Sequence, residues 1–224
     1  MAFSKSKLGT ILILIDWIIA IIAWATFYYV RKIVIEQNDF SIGTSFVPGL
    51  IIVPIFWILI FTLQGTYIDV RRLYRMKVVS YTLFATILGT ITIFFFLLLD
   101  DDIDEHTQFY QSLLWVFGIH LVLFLTARII FVSYIVNKIH KRKAGFRTLL
   151  IGGNENALEI LQELKQLKKA SGHNLVGYVN LNGTDRLLDN QLEYLGKADE
   201  QIEQILRKHQ IEEVIIALES TEHD

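Results

Sequence analysis

Four long apolar runs fill most of the first part of this chain, at residues 8–30, 46–63, 78–99 and 109–136. Each run is close to the roughly 20 apolar residues that an α-helix needs to cross the hydrocarbon core of a bilayer. The sequence therefore predicts a membrane all-α unit of four transmembrane helices over residues 1–137. The lipid bilayer is the expected partner of this unit.

The composition agrees with a membrane protein and excludes several other classes. Hydrophobic residues make up 53% of the 224, charged residues make up 20%, and the mean hydropathy is +0.43. This balance excludes a disordered tail, a collagen-like repeat and a basic protein that binds nucleic acid. The chain has no cysteine, so disulfides, cysteine-ligated metals and thiol nucleophiles are excluded as well.

The positions of the lysines and arginines indicate the orientation of the helices. Cations precede the first run, fill the loop after the second and follow the fourth: Lys5, Lys7, Arg71, Arg72, Arg75, Lys77, Lys138, Lys141, Arg142, Lys143 and Arg147. The other two loops are acidic, at residues 100–105, or balance their cations with acids. We therefore expect both termini in the cytoplasm.

Two of the spans have alternative interpretations. The first could be a signal peptide, because Ala23-Trp24-Ala25 resembles a cleavage site, but Asp16 is unfavourable in a signal core. The second contains Pro48 and Pro54, which could produce a re-entrant hairpin. The cations that follow it favour a complete crossing.

Two charged residues fall inside the apolar runs at matching depth. Asp16 and Arg128 each lie eight residues from the cytoplasmic end of their run, about 12 Å at the rise of an α-helix. Because a lone charge in hydrocarbon is costly, we expect Asp16 and Arg128 to form an intramembrane pair. Alternatively, Arg128 extends to the interface and Asp16 bonds a neighbouring hydroxyl.

Other polar residues suggest weaker sites. His120, inside the fourth run, is expected to make an interhelical hydrogen bond, since no second ligand at suitable spacing predicts a metal site. A juxtamembrane cluster is a candidate for binding anionic lipid headgroups or the phosphate of a lipid carrier: Arg71, Arg72, Arg75 and Lys77. Alternatively, these cations only set the orientation.

After a basic linker at residues 138–147, short apolar strands alternate with helical stripes. Strands are predicted at 148–151, 175–179, 192–195 and 214–218, with one helix from 157 to the turn at 171–172 and another over 202–209. Such alternation indicates a parallel sheet covered by helices. Residues 148–224 are therefore predicted to form a cytoplasmic Rossmann-like α/β domain, incomplete at its C-terminus.

The turn after the first strand is where this fold presents amides and a helix N-terminus to a phosphate. Its candidate cofactor-binding residues are Gly152, Gly153, Asn154 and Ala157. Compared with G-x-G-x-x-G/A, Asn154 replaces the second glycine, and Asn180 stands where an acidic ribose ligand is usual. These departures favour a domain that keeps the fold without the cofactor.

The sequence shows no nucleophile elbow, no P-loop, no histidine pair on one helix face and no paired carboxylates, so no catalytic residue is predicted. Four motifs follow the apolar unit in order: residues 147–154 (RTLLIGGN), 177–180 (GYVN), 194–196 (YLG) and 211–217 (IEEVIIA). Together with the four helices they resemble the N-terminal half of bacterial polyprenyl-phosphate hexose-1-phosphate transferases. These are the polyprenyl glycosylphosphotransferases of exopolysaccharide biosynthesis, in the bacterial sugar transferase family.

The resemblance implies that the complete protein transfers a sugar 1-phosphate from a UDP-sugar to undecaprenyl phosphate at a bacterial inner membrane. This step initiates exopolysaccharide, capsule or O-antigen synthesis. In that family, magnesium and an Asp-Glu pair act in a C-terminal catalytic domain that this sequence lacks. The resemblance therefore implies an inactive anchoring and accessory portion, without a cofactor of its own, that offers a surface for a homodimer.

Two other assignments remain open. The same helices and sheet are similar to the anchor of membrane-bound nucleotide-sugar dehydratases, whose glycine turn usually keeps more of its glycines. The chain could also be a stand-alone membrane protein whose sheet domain senses a nucleotide. Asn154 and Asn180 favour the transferase.

Overall fold

The computed structural model describes residues 5–100, 106–181, 185–199 and 202–217. The chain divides into two compact units, Phe3–Val136 and Asn137–Asp224, the latter with Met1–Ala2. Most of the predicted acidic turn, Leu218 of the last predicted strand and the residues after it lie outside the described residues.

The first unit consists of long apolar helices. They are α1 (Lys5–Val30), α2 (Phe46–Leu63), α3 (Arg75–Asp100) and α4 (His106–His140). A π-helical turn, Arg31–Ile35, continues α1. Within the described residues, these four helices are long and apolar enough to cross a membrane, by length and composition. The structure thus contains the four predicted apolar helices.

Aromatic side chains from α1, α2 and α4, with Ala85 and Ile93 from α3, form the buried core of this unit. Trp57 and Phe124 pack at its centre with ring centroids 5.0 Å apart. Trp24 lies so close to Gly49 that a Cβ there would be 2.1 Å from the indole. Small residues permit this close helix packing in a lipid environment. Apolar side chains also cover the outside, among them Ile18, Ile51, Phe84 and Val122.

The second apolar segment is one continuous helix. Pro54 lies inside α2 and is buried, and the helix continues to Leu63. The hairpin considered from the two prolines is therefore absent from this segment. Neighbouring helices can satisfy the backbone groups that a proline releases, which permits proline inside such a helix.

The linker between the two units is shorter than predicted. Residues 138–147 were expected to be linker, but α4 continues to His140 and the first strand begins at Phe146. The end of α4 is capped by two backbone bonds of 2.9 Å, from Arg142 N–H to Ile139 O and from Lys143 N–H to Lys138 O. This pair of bonds is a Schellman motif, which satisfies the last carbonyls of the helix.

The second unit is a parallel sheet with helices. Its elements are β1 (Phe146–Ile151), α5 (Glu155–Gln166), β2 (His173–Asn180), β3 (Tyr194–Lys197), α6 (Ile202–Lys208) and β4 (Glu213–Ile216). The strand order is β3-β2-β1-β4, and every neighbouring pair is parallel. This confirms the predicted parallel α/β sheet. Leu150, Tyr178 and Leu188 are fully buried in its core.

Several predicted boundaries in this unit differ from the structure, and two of the differences have a physical reason. The helix expected to reach residues 171–172 ends at Gln166. The next residue, Leu167, is 45% exposed, so extending the helix through it would bury little additional apolar surface. The third strand begins at Tyr194 rather than Leu192, since Leu192 packs against the core from the turn before the strand.

Candidate functional site

The glycine turn follows β1 at the carboxyl edge of the sheet. Gly152 has a φ of +131°, and a Cβ there would lie 2.2 Å from the carbonyl oxygen of Ala217. The Gly152 N–H donates to Val179 O at 2.8 Å, so the turn is held between the ends of β2 and β4. Only glycine combines this backbone conformation with this close contact.

Asn154 caps the helix that begins after this turn. Its Oδ1 accepts a hydrogen bond of 3.0 Å from the Ala157 N–H, and its backbone is extended, as is usual for an N-cap residue. The side chain thereby takes one of the free N–H groups that a phosphate would use. The sequence pattern identified Asn154 as an obstruction, and the structure shows that it is also a cap.

The second residue of the turn is in contact with the chain itself. A Cβ on Gly153 would lie 2.0 Å from the carbonyl oxygen of Asp185, and the Leu187 N–H donates to Gly153 O at 3.2 Å. Leu188 anchors this segment in the core. The space beside this glycine is therefore filled by the chain's own backbone.

Asn180, at the end of β2, is committed to internal bonds. It is 1% exposed, its Nδ2 donates to Asp185 O at 3.0 Å, and its Oδ1 accepts from the Tyr194 hydroxyl at 3.1 Å. An acidic residue here would bind a ribose hydroxyl, whereas Asn180 holds the segment that leads toward β3. The part played by Asp185 was missed because a backbone carbonyl carries no sequence signal.

The phenol of Tyr178 is held near this edge by Asp189. Its hydroxyl donates a short hydrogen bond to the Asp189 carboxylate. Burial and this bond raise the pKa of Tyr178 above its usual value of 10.0. The pair joins β2 to the same segment that covers Gly153.

A sequence family described as a CoA-binding domain matches residues 62–224, well over half of the chain. The chain belongs to this family. The matched range begins near the end of α2 and includes α3, α4 and the whole sheet unit. No curated protein matches the chain.

The glycine turn of this CoA-binding domain does not fit the group in the family's description. Coenzyme A carries a diphosphate, which would need the free amides and open approach of such a turn. Here the Asn154 side chain accepts the hydrogen bond of one of these amides, and the Asp185 carbonyl fills the space beside Gly153. No group of three or more metal-ligating side chains occurs in the described ranges of the chain either.

A second polar site lies in the helical unit. Arg128 of α4 donates two hydrogen bonds to Asp16 of α1, from Nε at 3.0 Å and from Nη2 at 2.6 Å. The structure thus brings together the two charged residues expected to pair. Both are almost completely buried, at 2% and 0% exposure.

Two aromatic residues complete this buried cluster. The Tyr67 hydroxyl donates to Asp16 Oδ2 at 2.7 Å, and the Phe61 ring lies 3.4 Å from the Arg128 guanidinium carbon. Burial and the neighbouring Asp16 carboxylate raise the pKa of Tyr67 above its usual value. Tyr67 was missed because it lies in the connection after α2, where no periodic pattern fixes its direction.

The juxtamembrane cations have separate environments. Arg71 is 7% exposed and forms hydrogen bonds of 3.0 and 3.1 Å with both oxygens of Asp69, so its head is committed to a neighbour. Arg75 donates to the Ser133 hydroxyl at 3.1 Å, and the Lys77 ammonium lies 5.3 Å from the centre of the Tyr81 ring. Arg72 also forms an ion pair with Asp69, but its side chain is 54% exposed, far more than that of Arg71.

Within the described part of the chain, His120 makes no interhelical hydrogen bond, contrary to expectation. Its Nδ1 lies 2.8 Å from the Val116 carbonyl, one turn earlier on the same helix. The contact with α2 is a ring contact instead, because the imidazole stacks on Trp57 with centroids 5.2 Å apart. The flat ring therefore contributes packing between the helices.

Proposed function

We propose that this chain is the membrane-anchoring, accessory portion of a phosphoglycosyl transferase. The complete enzyme would transfer a sugar 1-phosphate from a UDP-sugar to undecaprenyl phosphate and so initiate exopolysaccharide, capsule or O-antigen synthesis. The main support is the family match, which includes two of the apolar helices together with the sheet unit. The CoA-binding domain is found in families related to polyprenyl glycosyltransferases.

The architecture supports an anchoring role in a bacterial inner membrane. Four apolar helices present Ile, Leu and Phe side chains outward, where lipid would surround them. The lysines and arginines favour an orientation with both termini and the sheet unit in the cytoplasm, where UDP-sugars are made. The chain would hold the catalytic part of the enzyme beside its lipid substrate.

The glycine turn supports an accessory role for the sheet unit. Its ligand approach is filled by the backbone of Asp185 and its helix is capped by Asn154. A sheet unit closed in this way can serve as a rigid surface for a second copy or for another part of the enzyme. In this proposal the magnesium and the catalytic carboxylates belong to residues outside this chain.

The test uses the complete gene product in its native membranes. Membranes from the wild type and from a deletion strain are incubated with radiolabelled UDP-hexoses, and the label in the lipid extract is measured. We expect the deletion to abolish lipid labelling, the complete gene to restore it, and residues 1–224 alone to restore none. Unchanged labelling in the deletion strain would contradict the proposal, as would full restoration by residues 1–224.

The same membranes separate the two other assignments. An anchor of a nucleotide-sugar dehydratase would leave the lipid unlabelled and convert the UDP-hexose to a dehydrated nucleotide sugar, which chromatography detects. A stand-alone sensor would change neither product. Each outcome assigns the chain to a different class of protein.

A further inference from the structure

An open groove of about 350 Å³ lies in the sheet unit between α5 and the segment from β2 to β3. It is at the N-terminal end of β2, whereas the glycine turn follows the C-terminal end of β1. In parallel α/β sheets, the connection between two strands commonly contains a helix that covers one face of the sheet. The described part of the β2–β3 connection, residues 181 and 185–193, contains turns and bends instead of a helix, which leaves the groove open.

The lining of the groove is apolar on one side and basic or polar on the other. Its main contributors are Leu161, Leu164 and Leu192, and Arg142, Lys165 and Asn174. Among the described residues that line it there is no aspartate or glutamate. His173 also lines the groove, and its ring lies 3.0 Å from the Glu213 carboxylate. The groove therefore combines two cations with an apolar surface.

The two cations are held in place by contacts on the rim. Arg142 Nη2 donates to Lys165 O at 3.1 Å, and Lys165 Nζ donates to Gln191 Oε1 at 2.8 Å. A guanidinium has five N–H donors and an ammonium has three, so each cation can bond to a ligand as well. These contacts join the end of α4, α5 and the β2–β3 segment around one opening.

We propose that this groove binds a small phosphorylated ligand, with Arg142 and Lys165 on the phosphate and the leucines against its apolar part. The volume is within the range of small-molecule sites, about 300 to 1,000 Å³. Arginine and lysine are the usual partners of phosphate oxygens in proteins. This binding site does not depend on the transferase assignment, and it lies at a different place from the glycine turn.

The test measures binding of ADP, coenzyme A and inorganic phosphate to the full chain in nanodiscs of neutral lipid. Titration calorimetry gives the affinity, and thermal unfolding gives the stability. We expect ADP or coenzyme A to bind, and Arg142→Gly to weaken the affinity about tenfold to a hundredfold, because charge-assisted bonds are lost. Lys165→Gln should weaken it similarly.

Two matched variants distinguish binding in the groove from binding at the glycine turn and from a general effect on stability. Asn154→Asp keeps the cap of α5 but adds a negative charge at the glycine turn, so binding there would weaken. Gln210→Gly changes a residue at φ +50°, like Arg142 at φ +56°, and both glycines should raise the unfolding temperature by relieving that conformation. Of Arg142→Gly, Gln210→Gly and Asn154→Asp, only Arg142→Gly should lower the affinity.

Three outcomes would overturn the proposal. One is loss of binding in Asn154→Asp with normal binding in Arg142→Gly, which would locate the ligand at the glycine turn. Another is unchanged affinity in Arg142→Gly at any unfolding temperature, which would show that Arg142 does not contact the ligand. The third is no binding of ADP, coenzyme A or inorganic phosphate in nanodiscs of neutral lipid.

The lipid composition identifies the source of the phosphate. If the groove takes a free ligand, the affinity for ADP should be equal in nanodiscs of phosphatidylcholine and of phosphatidylglycerol. If it takes a lipid headgroup, phosphatidylglycerol should compete and weaken ADP binding, and Arg142→Gly should remove this difference. Either pattern supports a phosphate site in the groove.

Discussion

The carboxylate of Asp16 and the guanidinium of Arg128 are 112 residues apart in sequence and form two hydrogen bonds, of 2.6 and 3.0 Å. The pair joins α1 to α4 and is nearly excluded from solvent. Bidentate geometry of this kind fixes both the distance and the rotation of the two helices.

Breaking one side of this pair should destabilise the helical unit more than breaking both. Asp16→Asn or Arg128→Gln alone should lower the free energy of unfolding by about 3 to 5 kcal/mol, since each leaves a buried charge without its partner. The double variant should lose less than either single variant. Denaturant unfolding in detergent micelles measures this, with Arg72→Gln as an exposed control. Additive losses would show that the pair is not coupled.

The hydroxyl of Tyr67 should stabilise the charged form of this cluster. Tyr67→Phe removes the 2.7 Å bond to Asp16 and keeps the ring. We expect a loss of about 1.5 to 3 kcal/mol in unfolding free energy, the usual range for a bond to a charged group. Tyr74→Phe is the matched control, because Tyr74 is 60% exposed. Equal effects of the two variants would be evidence against this role.

The cap of α5 can be tested with two substitutions at one position. Asn154→Ala should lower the unfolding free energy by about 1 kcal/mol, because the Ala157 N–H loses its acceptor. Asn154→Asp keeps an acceptor and should be close to neutral. Chemical unfolding followed by circular dichroism measures both. A large loss in the aspartate variant would be inconsistent with capping as the main function of this side chain.

Gly153 should tolerate no side chain while the Asp185 segment remains in place. Gly153→Ala inserts a Cβ that would lie 2.0 Å from a backbone oxygen, so a loss of about 1 to 3 kcal/mol or more is expected. Gly118→Ala is the comparison, because a Cβ there meets nothing within 4 Å among the described residues. That variant should unfold at the same or a higher temperature. Similar losses in both variants would contradict the close contact.

Tyr178 should make the stability of the sheet unit depend on alkaline pH. Burial and Asp189 raise its pKa in the folded state above the usual 10.0. The protonated phenol therefore contributes fully below about pH 10, and its contribution falls as the pH rises toward the folded-state pKa. The stability difference between wild type and Tyr178→Phe should be constant up to about pH 10 and shrink as the pH rises above it. A difference independent of pH would exclude this linkage.

Periodicity accounts for what could be predicted. The helices are long and apolar enough to cross a bilayer, and strands alternate with helices in the sheet unit, so both patterns can be read from the order of residues. Depth along a helix also follows from the rise per residue, which places Asp16 and Arg128 at the same level on the sequence alone.

The connections account for what was missed. Tyr67 and Asp69 lie between α2 and α3, and Asp185 lies between β2 and β3, where the path of the chain has no period. Asp69 binds Arg71 and so removes one cation from the predicted headgroup cluster. The sequence shows four cations between residues 71 and 77. Which of their charges is neutralised depends on the backbone turn that contains Asp69.

The Asp185 segment acts on Gly153 as a tethered competitor. A free ligand at the glycine turn would have to displace a group that is covalently attached and therefore present at an effective concentration in the millimolar range for a short linker. Filling the turn in this way leaves no need for a ligand at the glycine turn when the sheet unit folds. The supply of a ligand for that turn would therefore leave the amount of folded protein unchanged.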